Sequence, residues 1–580
     1  MKNKYSLLAC FIISIIIVSY RFSPLGYKKD SPLKVTTWDN LGYYFYLPSI
    51  FIYHDFKELA WFPEIEKKYS VSGGTLYQAN RCKSGHYAFK YLAGVAIMES
   101  PFFFTGHMIA EKWGYQTDGF SPPYQFAIAM GAIVYCILAL FLLRRILLKY
   151  FNDHVTTLTL LLLMLASNVI QYISIDGAES HGYIFPMYVL VLYFTIKWHE
   201  KPSILWASSI GAIIGLATIS RPTEAIMLFI PLLWGTQTKE LSAEKWKMVK
   251  QHKSHLYFLG IFGFLAVLPQ LIYWKLATGS FVYDVGSKWE FLSPHFRVLF
   301  GWEKGWFIYT PIAIFFIIGL FFIKKFPFRY SVIIFCLLNI YIIIAWHDWQ
   351  YGASYSTRAL SQSYPVFALP LAAFINRIKT NKWSYLFYVL GIYLIIVNLF
   401  QIKQYNQFIL HCTDMNRKYY FSIYLNPHPS PLDMSLLDTD ERLNNEKKYI
   451  KQVLWVADTS LNINIPEYAS KVLFESKIGQ DSAKEITGDN WLKVESRIKL
   501  NSAGLWGCYL NSELRTGDSV KLNKIRIINA LSRQQQTNDY AFYVKIPPYF
   551  YKSNFKLYIS SANAFDGDLK KISIQYLKKL

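Results

Sequence analysis

The stretch YAFKYLAGVAIMESPFFFTGHMIAEKW, residues 87–113, decides how the chain is threaded. It is long enough to cross a bilayer, which takes about 20 apolar residues. Yet it carries Lys90, Glu99, His107 and Glu111, and a proline interrupts it in ESPFFF (99–104). Charges of that kind are costly at the bilayer centre. Downstream stands RRILLK (144–149), which the positive-inside rule assigns to the cytoplasm. If 87–113 crossed, that cluster would move to the outer side. The stretch therefore reads as interfacial or re-entrant helices.

Working outward, apolar runs of about 16–25 residues recur from Leu7 to Ile402. They place spanning helices at about 6–22, 124–148, 155–173, 182–198, 204–219, 223–236, 256–276, 306–323, 329–346, 364–376 and 384–402, about eleven in all. Lys2/Lys4, RRILLK, Lys197/Lys201, the lysines of 239–253, KKFPFR (324–329) and RIKTNK (377–382) then fall on alternate loops. The opposite, outer side holds 23–123, 174–181, 220–222, 277–305, 347–363 and everything after 403. No small-x-small cleavage site precedes Pro24, so the first run reads as a retained spanning helix.

The composition agrees: 53% of the 580 residues are hydrophobic and only 17% charged. The net charge of +22 could suggest nucleic acid, but loop lysines and arginines demanded by topology account for it, and no nucleic-acid partner is expected. The six cysteines show no CxxC spacing, so no zinc or disulfide framework follows. Cys82 and Cys412 could pair if both face an oxidising side.

Past residue 403 the character changes. MNRKYYFSIYL (415–425) could lie on the membrane surface, and NPHPSPLD (426–433) reads as a linker. WLKVESRIKL (491–500), SVKLNKIRI (519–527), YAFYVKI (540–546), FKLYIS (555–560) and ISIQYL (572–577) alternate with period two, as in a β-sandwich. The expected organisation is a membrane domain over 1–402 with a large first outer loop at 23–123, an interfacial segment and linker over 403–449, and a β-sandwich over 450–580.

Candidate functional residues collect on the outer side. Asp39, in VTTWDNLGYYFYLPS (35–49), precedes a helix-like aromatic run and could simply cap it. SIDGAESHGYIF (174–185) offers Asp176, Glu179 and His181 at a helix mouth. Glu179 and His181 would point to different faces of a helix, so a helical metal pair is not expected. Lys304 lies between Trp302 and Trp306, as a snorkelling lysine in an aromatic belt would. Arg358 stands at a helix mouth on the side poor in positive charge, where its fork could hold an anion. Lys90 and Arg221 are similar but less specific. Carboxylates, interface-depth cations and aromatics together suit a substrate with an anionic head and a long apolar tail.

This pattern resembles the C superfamily of polytopic membrane glycosyltransferases. Those enzymes have one spanning helix, then a large outer loop with a catalytic Asp near its start, where Asp39 stands in TTWDNLGYYFYLP. KYLAGVAIMESPFFFTGH (90–107), DGFSPPYQFA (118–127), AESHGYIF (178–185), GLATISRPTEAIM (215–227), LFGWEKGWFIYTP (299–311) and WQYGASYSTRALSQSYPVFALPLA (349–372) are similar to bacterial members, protein mannosyltransferases and lipid A aminoarabinose transferases among them. The resemblance covers about residues 1–425. It departs where some relatives have an adjacent acidic pair, since Asn40 follows Asp39 here. It also leaves the second acid open between Asp176 and Glu179, with Glu179 closer to the helix start.

The resemblance implies an inverting glycosyltransferase that takes a hexose or pentose from a polyprenyl-phosphate donor to a lipid-linked glycan, envelope polysaccharide or protein. Asp39 and Glu179 would be catalytic, and Arg358, Lys304 and Lys90 would bind the donor phosphate. His181, Asp176 and Asp118 would support the acceptor side. No cofactor is fixed by it, and the need for a divalent metal, Mg or Mn, stays open. The expected setting is a bacterial inner membrane, with the N-terminus cytoplasmic and the β-domain periplasmic. The rival reading is a transporter or flippase of lipid-linked sugars.

Overall fold

The computed structural model describes residues 3–23, 33–458, 460–478, 490–502 and 505–579. The chain divides into two compact units, Met1–Ile402 and Lys403–Leu580.

The first unit is helical. Four helices are long and apolar enough to cross a membrane: Lys4–Phe22, Pro122–Tyr150, Lys253–Thr278 and Trp383–Asn406. The 26 residues of Lys253–Thr278 extend about 39 Å at 1.5 Å per residue. Shorter apolar helical stretches include Asp153–Leu165, Ile204–Thr218, Arg329–Ile344 and Tyr364–Ile378. This is a multi-pass membrane protein. Large side chains that face outward from Lys253–Thr278, such as Leu256, Ile261, Phe264 and Ile272, are exposed, as lipid-facing residues are.

Several boundaries differ from expectation, and in one a proline gives the reason. The expected 306–323 helix breaks after Trp306–Tyr309 and resumes at Ala313–Gly319, because Thr310 precedes Pro311 and adopts φ −135°. The expected 223–236 helix is a tight 3-10 stretch, Pro222–Leu228, followed by Phe229–Leu233. The expected 155–173 helix stops at Leu165, and a π-turn follows at Gln171–Ile175. Such turns recur at functional sites.

The stretch 87–113 starts as the strand Tyr87–Phe89, paired with Ala79–Arg81, and continues as one helix, Gly94–Lys112. That helix is not among the four long apolar ones. It runs antiparallel to the first half of Pro122–Tyr150: the Tyr135 hydroxyl donates to the Met98 carbonyl, and His107 pairs with Tyr124.

The second unit is a β-sandwich. One antiparallel sheet runs in the order Ala469–Lys477, Asn554–Ser561, Tyr509–Thr516, Ser519–Arg526. The other runs Tyr449–Ala457, Phe565–Lys579, Asn490–Leu500, Thr537–Ile546, with Leu461–Ile465 also on Phe565–Lys579. Asn554–Ser561 alternates strictly between covered and uncovered positions, so Phe555, Leu557 and Ile559 enter the core. There they share one apolar cluster with Val494, Phe542 and Ile574 of the other sheet. The expected linker at 426–433 instead ends in a short helix, Pro431–Ser435, because Ser430 and Asp433 form a capping box. All six cysteines are free thiols.

Candidate functional site

Asp39 begins the short helix Asp39–Tyr44. The residue before it, Trp38, is held at φ +54°, a costly conformation for a bulky side chain. Trp38 N–H donates to the Val71 carbonyl, and the Gln78 amide donates to the Trp38 carbonyl, which together fix the turn. Asp39 Oδ1 accepts from the Tyr91 hydroxyl at 2.6 Å and the Tyr77 hydroxyl at 2.8 Å. Gly42 makes the first contact possible, since a Cβ there would lie 2.0 Å from the Tyr91 ring.

Oδ2 of the same carboxylate accepts from Arg358 Nη2 at 3.0 Å, and Arg358 Nη1 donates to Glu179 Oε1 at 2.8 Å. The guanidinium is therefore a bridge between two acids from distant parts of the chain. Arg358 is 12% exposed, Glu179 15% and Asp39 31%, so Asp39 is the acid open to an incoming group. Burial opposes the Asp39 charge, but Arg358 and the hydrogen bonds from Tyr91 and Tyr77 outweigh it and hold the carboxyl below its ordinary range. Burial dominates at Glu179, which rises to about 7 despite the pull of Arg358.

Arg358 is placed by its loop. Tyr351 and Ser356 both hold positive φ. Tyr172 of the π-turn docks on that loop, its hydroxyl donating to the Tyr355 carbonyl at 2.7 Å and accepting from the Tyr355 N–H at 2.8 Å. Thr357 Oγ1 donates to the Val298 carbonyl at 2.8 Å.

Lys304, expected at the phosphate, is buried and spends its ammonium on the same loop. It donates to the carbonyls of Gln350, at 2.7 Å, and Gly352, and to Ser354 Oγ. Arg358, also expected at the phosphate, has both terminal nitrogens on carboxylates. Lys90 is exposed at the edge of the cluster, with its ammonium 5.6 Å from the Tyr77 ring centre and 6.0 Å from that of Tyr91.

His181 is buried beside Glu179, its Nε2 3.6 Å from Glu179 Oε2 and its Nδ1 2.8 Å from Gln362 Oε1. Gln362 in turn donates to Glu224, which also accepts from Tyr188. Asp176 is turned toward Gln171, whose amide donates to it at 2.9 Å, and toward Arg21. Asp118 belongs to a separate structural network: it accepts from Tyr69 and Lys68 and from the backbone N–H groups of Phe120 and Ser121 at the start of Pro122–Tyr150. The structure thus brings Asp39, Glu179, His181 and Arg358 together with Lys90 at the edge, and leaves Lys304 and Asp118 in supporting networks. Tyr77 and Gln362 carried no signal in the sequence. Tyr91 could have been found only as the neighbour of Lys90.

The residues do not suit a divalent cation between the acids. The Arg358 guanidinium lies where such an ion would bridge them, and among the described residues no three His, Cys, Asp or Glu side chains converge to hold a metal.

Residues 122–274 match the sequence profile of the dolichyl-phosphate-mannose-protein mannosyltransferase family. No curated protein matches this chain by sequence. Among solved structures it is similar to the oligosaccharyltransferase AglB of Archaeoglobus fulgidus, in complex with an inhibitory peptide and a dolichol-phosphate, at 11% identity and TM-score 0.44 over 72% of this chain and 57% of that one. It is also similar to ArnT of Cupriavidus metallidurans, at 11% identity and TM-score 0.39 over 72% and 67%. The arabinosyltransferase EmbB of Mycobacterium smegmatis matches at 10% identity and TM-score 0.38 over 99% and 64%. The chain spans under three fifths of the length of AglB, at 57%.

Proposed function

We propose that this protein is a membrane glycosyltransferase of the C superfamily that transfers a sugar from a polyprenyl-phosphate donor to an acceptor hydroxyl at the outer membrane–water boundary, with inversion. The observation that carries the reading is the Asp39 carboxylate, kept ionised by Arg358, Tyr77 and Tyr91 and still partly open to solvent. A glycosyl phosphodiester has a good leaving group, so it needs a base for the incoming hydroxyl and positive charge for the departing phosphate. Asp39 takes the acceptor proton as its oxygen attacks the anomeric carbon. The bond from that carbon to the phosphate oxygen breaks, and polyprenyl phosphate leaves with the electron pair. Arg358 braces the base, and Glu179 and His181 line the acceptor side. Lys90 is an exposed cation beside the tyrosines that hold the base.

The acceptor class is a lipid-linked glycan, an envelope polysaccharide or a protein. The setting is a bacterial inner membrane, with the N-terminus cytoplasmic and the β-sandwich periplasmic. Transport of a lipid-linked sugar would leave an acid poised in this way without a task. The test is incubation of the purified protein with a panel of polyprenyl-phosphate sugars, followed by mass spectrometry. Freed polyprenyl phosphate with a glycosylated acceptor is the expected result. An intact donor across the whole panel would overturn the reading.

A further inference from the structure

We infer that Glu224 is a positioning residue of the transfer site: acting through Gln362, it fixes the His181 ring with its proton on Nδ1, and so leaves Nε2 free to hold a proton on Glu179 Oε2. The assignment of the ring stands on contacts alone, and its consequence for turnover rests on the proposed transfer reaction.

The contacts form one buried chain. It starts at Tyr188, inside the helix Ser180–Glu200, and passes through Glu224 of the 3-10 stretch Pro222–Leu228. Gln362, which ends the short helix Arg358–Ser361, carries it on to His181 and Glu179 at the mouth of Ser180–Glu200. Tyr188, Glu224, Gln362 and His181 are each at most 3% exposed. No step of the transfer uses Glu224, yet a carboxyl buried to this degree is costly to keep.

The direction of each hydrogen bond follows from what each group can do. Glu224 Oε2 accepts from the Tyr188 hydroxyl, and Oε1 accepts from Gln362 Nε2 and, at 3.4 Å, from Thr223 Oγ1. With donors on both oxygens, the carboxylate is an acceptor only. It therefore turns the amide so that the NH2 group faces Glu224 and Oε1 faces His181. Arg221 Nη1, 3.4 Å from Gln362 Oε1, donates to that oxygen and favours the same orientation. His181 Nδ1 lies 2.8 Å from Gln362 Oε1, and a carbonyl oxygen offers no proton, so Nδ1 carries it. Burial opposes a second proton on the ring, as do Arg221, 3.4 Å from Nδ1, and Arg358. Nε2 thus keeps its lone pair.

That lone pair faces Glu179 Oε2 at 3.6 Å. Among the described residues Oε2 is buried without a hydrogen-bond partner, whereas Oε1 accepts from Arg358. A proton on Glu179 therefore sits on Oε2 and points to Nε2, a contact of the kind that shortens when a site closes on its substrate. Besides burial, Arg358, Asp176, Asp39 and Arg221 act on Glu179, and the Tyr172 ring packs 5.5 Å from that of His181. While Glu179 keeps its proton, the charge of Arg358 belongs to Asp39. Once the proton leaves, two ionised acids share one guanidinium, and the site turns against a phosphate-bearing donor. Turnover should then fall on the alkaline side as Glu179 titrates, at about 7.

Two measurements on the full-length protein in nanodiscs test this. The first is nitrogen NMR of protein carrying isotope-labelled histidine, with the His181 signal identified by its loss in His181→Asn. At neutral pH, Nδ1 is expected to be protonated and Nε2 bare. A proton on Nε2 in place of Nδ1 overturns the inference, and this wild-type spectrum decides even where a variant does not fold. The second is the pH–rate profile for release of polyprenyl phosphate. Glu224→Met frees the Gln362 amide to turn and donate to Nδ1, which moves the ring proton to Nε2 and favours ionised Glu179. Its alkaline fall should begin about one pH unit lower than that of the wild type, the scale of one hydrogen bond. Glu179→Gln imitates the protonated acid, with its carbonyl on Arg358 and its amide on Nε2, so the alkaline fall should vanish. An unmoved profile in Glu224→Met overturns the positioning role, and an alkaline fall kept in Glu179→Gln overturns the proton on Oε2. A wild-type protein with the proton on Nδ1 but no release of polyprenyl phosphate from any donor overturns the transfer reading alone.

Discussion

Replacing Arg358 with glutamine removes the bridge between Asp39 and Glu179 while keeping much of its volume. Two charge-assisted hydrogen bonds are lost, at 2.8 and 3.0 Å. Each is worth about 1.5–3 kcal/mol, and the glutamine amide recovers one ordinary hydrogen bond of about 1 kcal/mol. Two things limit the damage. Asp39 is 31% exposed and partly screened by water. Glu179, already raised to about 7, can relieve the repulsion by taking up a proton at little cost near neutral pH. The net destabilisation should be about 2–4 kcal/mol, below the full cost of an uncompensated buried charge. Asp39 loses its counter-charge as well, so its carboxyl titrates at higher pH and the acid limb of the activity profile moves up. Thermal unfolding in detergent and a pH–rate profile measure the two effects. A variant that melts with the wild type and keeps its pH profile would refute the bridge. A double-mutant cycle with Asp39→Asn should show coupling above about 1 kcal/mol, as expected of residues in contact.

Further outcomes follow from the same geometry. Tyr91→Phe removes a donor that favours ionised Asp39, so activity is lost at a higher pH on the acid side and is little changed at alkaline pH. At pH 7 turnover should fall by no more than about tenfold, the scale of one hydrogen bond. Lys304→Met strands the loop carbonyls of Gln350 and Gly352, so it should lower the melting temperature and reduce turnover through Arg358. If Lys304 instead bound the phosphate directly, the variant would lose donor affinity while melting normally.

Length and hydropathy made the long helices legible, and alternation made Asn554–Ser561 and Phe565–Lys579 legible. Tyr449–Ala457 escaped because most of it is uncovered, with Ile450, Val453 and Val456 all exposed, so no alternation marks it. Tyr509–Thr516 escaped because polar Asn511 and Ser512 are buried among its leucines. The break at Thr310 hid inside an apolar run, where only the following proline gives it away. In the site, Asp39, Glu179 and Arg358 could each be suspected from their places at helix mouths. Their union could not be read, because it depends on Tyr172 and Lys304 pinning a loop far along the chain. The same pinning turned Lys304 from an expected ligand into an anchor, a distinction that depends on burial.

The most direct measurement follows donor consumption by the Asp39→Asn protein in a single turnover, beside its affinity for polyprenyl phosphate. Loss of the general base should slow transfer by about 10²–10⁴-fold while lipid binding persists. Transfer at the wild-type rate by a folded Asp39→Asn protein would contradict the account.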